Sequence, residues 1–339
     1  MSNFEALKLL KRVTNPAARL SRSIGDVSKP NEELNIFDVF HTKKLQKERS
    51  ALREDAETYD YVKEEIGYRL ADRLFDIKKE FDHGVDFGGG RGFLTRHILA
   101  ETVKNLKVYD ISPTMLEQVF GTPGISIEKH LLTKEALDLP DNSQDLVISN
   151  LALHWFNDLP GIFRSINNCL KPDGCFLASI FGAETLYELR SSLHLAEQER
   201  RGGLSPHISP FTKIQDIGSL LNRAGFTMLT IDTDEMVIGY PSMFELLHDL
   251  KGMGESNATY NRPLTVGRDV LLAASTIYDE MYQKKNPETG EKGVQATFQV
   301  LYFIAWKKHA SQPKPLERGT ANTSFKDLGK IISDEIKEK

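Results

Sequence analysis

A glycine-rich turn between residues 86 and 92 is the first segment of the sequence with the residue types for chemistry. It reads Asp86-Phe87-Gly88-Gly89-Gly90-Arg91-Gly92 and completes a short apolar run that begins at His83. Glycines let the backbone turn tightly and let a ligand approach where a Cβ would block it. A carboxylate two positions before the first glycine is suited to order the turn and to meet the amino-acid end of a ligand. The segment predicts a ligand-binding turn at the end of a strand, followed by an α-helix over about 92–101.

A second carboxylate, Asp110, ends the next apolar run about twenty residues downstream. In nucleotide-binding folds, a carboxylate at this position accepts hydrogen bonds from the ribose hydroxyls. Ile111 is suited to cover one face of an adenine ring. The alternative role for Asp110 is to cap the following helix, for which Ser112 competes. Phe93 stands where the dinucleotide fingerprint needs its third glycine, so the Gly-x-Gly-x-Gly spacing favours S-adenosylmethionine over NAD.

The elements that position these residues follow from five short apolar runs that alternate with helical patterns. Such alternation predicts an α/β fold with a parallel sheet covered on both faces. Two later runs, Met228–Ile238 and Thr297–Lys307, are predicted to close the same sheet as antiparallel strands, with a helical insertion at about 240–290 between them. The five runs are His83–Phe87, Leu106–Asp110, Ile125–His130, Asp145–Ser149 and Gly174–Phe181.

The order of these parts over residues 83–181 resembles that of class I S-adenosylmethionine-dependent methyltransferases. The resemblance implies a Rossmann-like sheet, mostly parallel with an antiparallel closing strand. Thr133 stands where members often carry an acidic residue near the adenine amino group. We therefore expect Thr133 to contact adenine, and we expect the affinity for the cofactor to be lower than usual in the family. The other cofactor-binding residues that the resemblance implies are Asp86, Phe87, Gly88, Gly90 and Gly92 at the methionine end, Asp110 and Ile111 at the ribose and adenine, and Asn150 and Leu151 beneath the sulfonium.

Blocks in the second half of the chain narrow the resemblance further. Together with Asn35–Asp38, they resemble the mitochondrial complex I assembly factor 5 family over about residues 35–306. This resemblance implies a hydroxylase acting on an arginine of a matrix-arm complex I subunit, with other assembly factors as partners. It also implies location in the mitochondrial matrix, and any contact with the inner membrane is expected to be peripheral. The blocks are Phe181–Arg190, Ala196–Phe211, Tyr240–Leu247 and Gly252–Asn257.

Four residues outside the glycine turn are candidates for catalysis, each with a structural alternative. His154 follows the fourth strand, near the transferred methyl group of class I enzymes, but it could equally pack with Trp155 as part of an aromatic pair. Tyr187 and Arg190 lie three apart on one predicted helix face and can reach a ligand together, or form a surface contact. His207 lies between two prolines and is either a catalyst or a structural hydrogen-bonding residue.

An arginine substrate would also need a carboxylate, because planar bidentate pairing suits a guanidinium group. Glu184, Glu188 and Glu255 are the candidates. The nine histidines include no His-x-Asp or His-x-Glu pair, so no metal site is predicted.

Charge and composition predict how the chain is organised. The first 30 residues carry six Lys or Arg against two acidic residues, a net of +4 on a chain of net charge −5. An amphipathic basic segment of this kind is typical of mitochondrial transit peptides, although a basic tail is the alternative. We therefore predict a transit peptide at 1–30, a helical segment at 31–80, a methyltransferase-like domain at 81–310 and a polar tail at 311–339.

Other function classes are excluded by the same counts. No basic stripe accompanies the negative net charge, which argues against nucleic-acid binding. No run of 18 apolar residues is present, so no transmembrane helix is predicted. Cys169 and Cys175 lie in apolar stretches, and we expect buried reduced thiols.

Three functions remain open from the sequence. The first is the arginine hydroxylase that the family resemblance implies. The second is a methyltransferase acting on a protein or a small molecule, favoured by the retained Asp86, Gly88, Gly90 and Asp110. The third is a non-catalytic assembly chaperone whose fold is stabilised by bound cofactor.

Overall fold

The computed structural model describes residues 38–285, 290, 292–313, 318–320 and 324. The predicted transit peptide and most of the predicted polar tail lie outside the described residues. Among the helices of the described part, none is both long enough and apolar enough to cross a membrane.

One twisted sheet forms the centre of the described chain. Its order is β3-β2-β1-β4-β5-β8-β6, with the short β7 pairing beside β8. Strands β1 to β5 are mutually parallel, whereas β8 runs antiparallel to both β5 and β6. The mostly parallel sheet with an antiparallel closing strand is therefore confirmed. The strands are β1 Phe81–Phe87, β2 Val103–Asp110, β3 Ser126–Leu131, β4 Gln144–Asn150, β5 Leu170–Phe181, β6 Phe226–Tyr240, β7 Gln283–Lys285 and β8 Lys292–Lys307.

The helices begin and end where local sequence satisfies their free backbone groups. Ser112 and Asp158 cap their helices by accepting hydrogen bonds from Met115 and Gly161. Gly202 ends another helix at φ +69°, a conformation that glycine adopts without strain. The helices are α1 Val39–Ala51, α2 Tyr61–Phe75, α3 Pro113–Glu117, α4 Leu159–Cys169, α5 Tyr187–Arg201, α6 Ile214–Arg223, α7 Met243–Gly252 and α8 Arg268–Tyr282.

Two hydrophobic clusters hold the helices on the sheet. The first cluster contains Val62, Ile66, Leu70 and Leu74, which repeat every four residues along one face of α2 and are all buried, together with side chains of α5, α7 and α8. The second cluster contains apolar side chains of α4 and α6. Both cysteines are buried and unpaired, as expected for thiols in an apolar interior.

The prediction of an α-helix directly after the glycine turn is wrong. Only a short 3-10 turn, Thr95–His97, forms there. Gly92 has φ +79°, which breaks the right-handed helix at the start of the predicted segment. The Thr95 hydroxyl bonds back to Asp86, and the Arg96 side chain bonds to backbone carbonyls of the turn. Thr95 therefore ties this segment to the end of β1, and Arg96 ties it to the glycine turn.

Candidate functional site

The glycine turn lies at the carboxyl end of β1, and its backbone leaves no room for side chains. Gly88, Gly90 and Gly92 all have φ between +57° and +79°. A Cβ on Gly88 would lie 2.2 Å from the Cβ of Ala152, which follows β4. The turn is therefore packed against the loop after the neighbouring strand, at the sheet edge where open α/β folds bind ligands.

Asp86 is fully buried behind this turn. Its Oδ2 accepts a hydrogen bond of 2.7 Å from the Thr95 hydroxyl, whereas its Oδ1 has no hydrogen-bond partner among the described residues. Burial raises the pKa of Asp86 to about 7, the Thr95 hydrogen bond opposing this shift and the nearby Asp110 adding to it. A buried carboxylate oxygen without a partner fits a cationic ligand group such as the amino group of S-adenosylmethionine.

Asp86 should make the protein less stable as the pH rises from about 4 to about 7. Over this range the folded protein retains a proton that the unfolded chain has released, so the free energy of unfolding falls. Relative to Asp86→Asn, which cannot titrate, the native protein should lose roughly 2–4 kcal/mol. Urea unfolding of both proteins at a series of pH values measures the difference, and the titration of other groups cancels. Parallel pH profiles would contradict this role for Asp86.

Asp110 ends β2 beside the turn and is engaged on both oxygens. Its Oδ2 accepts a 2.9 Å hydrogen bond from the Gly90 amide, and its Oδ1 accepts one from the Ser112 amide. Lys47 of α1 donates to Oδ2 at 2.5 Å. Ser112, rather than Asp110, caps α3 with its side chain. Asp110 thus holds the glycine turn and at the same time binds a cation from α1.

The predicted residues after β2 and β4 divide into those at the pocket and those beside it. Ile111 lines the pocket with Leu132, whereas Thr133 is exposed and does not line it. Asn150 uses both ends of its amide, donating to the Lys63 carbonyl and accepting from Ser179. Leu151 and Phe87 are buried next to these groups, Leu151 at φ +48° and Phe87 stacked on the ring of Phe156 at 5.0 Å.

Helix α1 covers the pocket in front of the glycine turn. Its buried positions are Lys43, Lys47, Ser50 and Ala51, so it binds the domain mainly through polar groups. The space left among the lining side chains holds about one water molecule. These side chains are Phe40, Lys43, Lys47, Gly88, Asp110, Ile111, Leu132, Ala152, Trp155 and Phe156.

A buried charge cluster adjoins this pocket, centred on Glu255. The Glu255 carboxylate lies 3.0 Å from the Lys43 ammonium and 2.8 Å from that of Lys63, and the Trp155 indole N–H donates to it at 2.9 Å. Although burial alone would raise the pKa of Glu255, Lys43 and Lys63 hold it well below its usual range. Burial lowers the pKa of Lys43 well below its usual range, although Glu255 acts in the opposite direction.

His154 lies at the back of the charge cluster. Its Nε2 is 3.5 Å from a Glu255 oxygen, and neither ring nitrogen has a hydrogen-bond partner within the part of the chain that the structure describes. The ring is packed among Trp155, Phe181 and Phe211, and its side chain is only 1% exposed. Burial lowers the pKa of His154 to about 4, so the imidazole is neutral at physiological pH. The His154 ring therefore has the aromatic packing that was one of its two candidate roles, and the ring also lies beside the Glu255 carboxylate.

The other catalytic candidates lie away from the glycine turn. Arg190 donates to the carbonyls of Ala183 and Thr185 and so fixes the loop before α5. Tyr187 packs edge-on against Tyr282 of α8. His207 contacts Glu197 at 2.9 Å. None of Tyr187, Arg190 and His207 lines the pocket beneath α1, and each makes a contact within the fold instead.

The three glutamates that were candidates to pair with a guanidinium also differ in their position relative to the pocket. Glu188 is buried and accepts hydrogen bonds from the backbone and side chain of Thr297, which fastens α5 to β8. Glu184 is exposed. Of the three, Glu255 is the one connected to the pocket, because its ion-pair partner Lys43 lines the pocket.

Sequence reasoning missed the lysines of α1. Lys43 and Lys47 are four residues apart and therefore share one helix face, but this face is not apolar. Hydrophobic periodicity, the main signal for a buried helix face, is absent there. The pairing of these lysines with Asp110 and Glu255, far away in the sequence, is visible only in three dimensions. Among the described residues, no three His, Cys, Asp or Glu side chains are arranged to hold a metal ion.

The sequence of this chain is similar to those of methyltransferases and of a named arginine-hydroxylase. The Methyltransferase domain family matches residues 53–231. The chain is 48% identical to the rat protein "Arginine-hydroxylase NDUFAF5, mitochondrial" over 300 residues, which cover 88% of this chain and 85% of the relative. It is 31% identical to the malonyl-[acyl-carrier protein] O-methyltransferase of Halorhodospira halophila, covering 76% of this chain and 86% of that enzyme.

Among solved structures, the YcgJ protein of Bacillus subtilis is similar, with a TM-score of 0.48 and 16% identity over 71% of this chain and 98% of that one. The sequence match to the rat protein extends well beyond the methyltransferase domain, into α7, α8 and the closing strands. By this match, the chain belongs to the family of the mitochondrial arginine-hydroxylase NDUFAF5.

Proposed function

We propose that this chain hydroxylates an arginine side chain of a matrix-arm subunit of complex I during assembly of that complex. The observation that carries the proposal is the 48% identity to a named arginine-hydroxylase over 88% of the chain. The subunit and the assembly step rest on the resemblance of its sequence blocks to the complex I assembly factor 5 family. Hydroxylation replaces one C–H bond of the side chain by C–O–H and is a two-electron oxidation. With dioxygen as the oxidant, an electron donor supplies two electrons and the second oxygen atom leaves as water.

The pocket beneath α1 is the proposed site of S-adenosylmethionine. The fit to this cofactor rests on two features. A Cβ on Gly88, which lines the pocket, would collide with Ala152, and Asp86, which lies behind the glycine turn and not on the pocket wall, has a carboxylate oxygen without a partner among the described residues. Asp86 would hold the amino group, and Asp110 the ribose hydroxyls after release from Lys47. When bound, S-adenosylmethionine brings a sulfonium cation with an activated methyl group. Lys47 and α1 must then move, because the space beneath them holds about one water molecule.

The location and partners are proposed on the same basis. The rat and human relatives are named as mitochondrial proteins. We place this chain in the mitochondrial matrix, with peripheral contact with the inner membrane, where a matrix-arm subunit and other assembly factors are its partners.

The decisive experiment is to incubate the purified full chain with the candidate complex I subunit in aerobic buffer that contains an electron donor, with and without S-adenosylmethionine. Peptide mass spectrometry should show a gain of one oxygen on an arginine. Asp86→Ala should lose cofactor binding and modification together, because it removes the carboxylate proposed to hold the amino group. An Asp86→Ala protein that modifies the subunit as fast as the native one would exclude a role for bound cofactor.

Methyl transfer is the second candidate, favoured by the 31% identity to a malonyl-[acyl-carrier protein] O-methyltransferase. In the same experiment it would appear as the gain of one methylene unit and would require S-adenosylmethionine. No change in the subunit, together with measurable cofactor binding, would support an assembly chaperone instead.

A further inference from the structure

The Lys43 ammonium occupies a site that is built for a cation. Its Nζ donates to the Gly254 carbonyl at 2.6 Å and lies 3.0 Å from a Glu255 oxygen. It also lies 3.5 Å from the centroid of the Trp155 ring, directly over the ring face. A carboxylate, a carbonyl and an aromatic face thus surround one position, and the Lys43 side chain is only 1% exposed.

This cation site adjoins the proposed cofactor pocket. Lys43 and Trp155 line the same pocket as Gly88 and Asp110. A cationic group in the place of the Lys43 ammonium would therefore face that pocket. Behind the site lies His154, whose two ring nitrogens have no hydrogen-bond partner in the described ranges and whose Nε2 is 3.5 Å from a Glu255 oxygen.

We infer that a substrate guanidinium takes the place of the Lys43 ammonium, between the Glu255 carboxylate and the face of the Trp155 ring. The inference rests on the proposed function, since it assigns the recognition site for its arginine substrate. It conserves charge, because one cation leaves as another enters. Glu255 keeps its ion pair with Lys63, 2.8 Å away, throughout the exchange.

A guanidinium suits this site better than an ammonium does. A lysine ammonium is compact and strongly hydrated, and burial lowers the pKa of Lys43 well below its usual range. A guanidinium stays charged at all physiological pH values and is more weakly hydrated. It is also planar, so it can stack on an indole ring while it donates two hydrogen bonds to one carboxylate.

The helix that carries Lys43 is attached in a way that allows the exchange. Its buried contacts are largely polar, such as Ser50 to the Gly252 carbonyl at 2.6 Å and Lys47 to Asp110 at 2.5 Å. Elements with few buried apolar contacts open at low free-energy cost. Lys47 lies one turn from Lys43 on the same face and holds Asp110, so one movement of α1 would release both carboxylates.

Trp155 provides the readout. The chain contains two tryptophans, so Trp306→Phe leaves the indole of Trp155 as the one reporter. We would titrate this full-length protein with capped arginine, N-acetyl-arginine methylamide, and with the equivalent citrulline compound, which has the same shape without the charge. The arginine compound should change Trp155 fluorescence saturably, and the citrulline compound should not.

Lys43→Met removes the competing ammonium and should tighten arginine binding about fivefold or more, because the site no longer has to be vacated first. If that protein does not fold, Lys43→Gln serves in its place, since its amide can still donate to the Gly254 carbonyl. Lys44→Met is the matched control, since it removes the same charge from the same helix outside the site, and it should leave the affinity unchanged.

Equal responses to arginine and citrulline, or arginine binding to Lys43→Met that is no tighter than to the native site, would overturn the inference. Its failure is distinguishable from that of the proposed function. A subunit that is hydroxylated with a KM unaffected by Lys43→Met contradicts the site alone. Arginine binding that tightens in Lys43→Met, with no oxygen gained by the subunit, supports the site and contradicts hydroxylation.

Discussion

Glu255→Ala should destabilise the protein by about 3–5 kcal/mol, the usual cost of removing one partner from a buried ion pair. The Glu255 side chain is 6% exposed, and those of its partners Lys43 and Lys63 are 1% and 8% exposed. Without the carboxylate, the two buried ammonium groups of Lys43 and Lys63 keep the carbonyls of Gly254 and Met253 as their acceptors among the described residues. The indole N–H of Trp155 loses its acceptor as well.

The measurement is urea unfolding of Glu255→Ala beside two further proteins. Glu184→Ala is the matched control, because Glu184 is exposed, and such substitutions usually change stability by less than about 0.5 kcal/mol. The double variant Lys43→Met/Glu255→Ala should be more stable than Glu255→Ala alone, because one stranded cation is gone. If Glu255→Ala unfolds within 1 kcal/mol of the native protein, the charge cluster does not contribute as the structure indicates.

The sheet was predictable from the sequence because its signals are local. Each parallel strand is a short apolar run bounded by turn residues, and β1, β2 and β4 begin and end within a few residues of the predicted runs. The glycine turn and Asp110 were predictable for the same reason, since they lie at the ends of these runs. Their roles toward a cofactor remain predictions.

The helix expected after the glycine turn does not form, because a tertiary contact outweighs the helical spacing of the apolar residues. Phe93, Leu94 and Ile98 have a helix-like spacing, but Gly92 is left-handed and Thr95 turns inward to Asp86. Apolar spacing alone does not report such a side-chain bond.

The closure of the site by α1 was beyond sequence reasoning for a different reason. A lysine on a helix is normally solvated, and its burial requires a carboxylate that a distant part of the fold supplies. Lys43 meets Glu255 more than 200 residues later, and Lys47 meets Asp110. The sequence offered Glu255 as a guanidinium partner without showing that the chain provides its own cation there.

Gly88→Ala should have the second large effect, on both folding and cofactor binding. An alanine at φ +79° costs about 1–2 kcal/mol from backbone strain alone. Its Cβ would also lie 2.2 Å from the Cβ of Ala152, which requires the glycine turn and the loop after β4 to separate. Overpacking of this kind adds about 1–3 kcal/mol, so we expect a total near 3 kcal/mol.

Two companion proteins separate strain from clash. Gly202→Ala places a Cβ at a similar φ of +69°, with none of the described residues within 4 Å, and it should therefore show the strain alone. Ala152→Gly combined with Gly88→Ala removes the colliding methyl group and should recover the part of the loss that comes from the clash. Thermal unfolding gives the stabilities, and calorimetric titration with S-adenosylmethionine gives the affinities. Because the turn itself is the proposed cradle of the cofactor, Gly88→Ala should weaken binding by tenfold or more while Gly202→Ala leaves it unchanged. Equal losses of stability in the two single variants would mean that the contact between the glycine turn and Ala152 does not constrain this site.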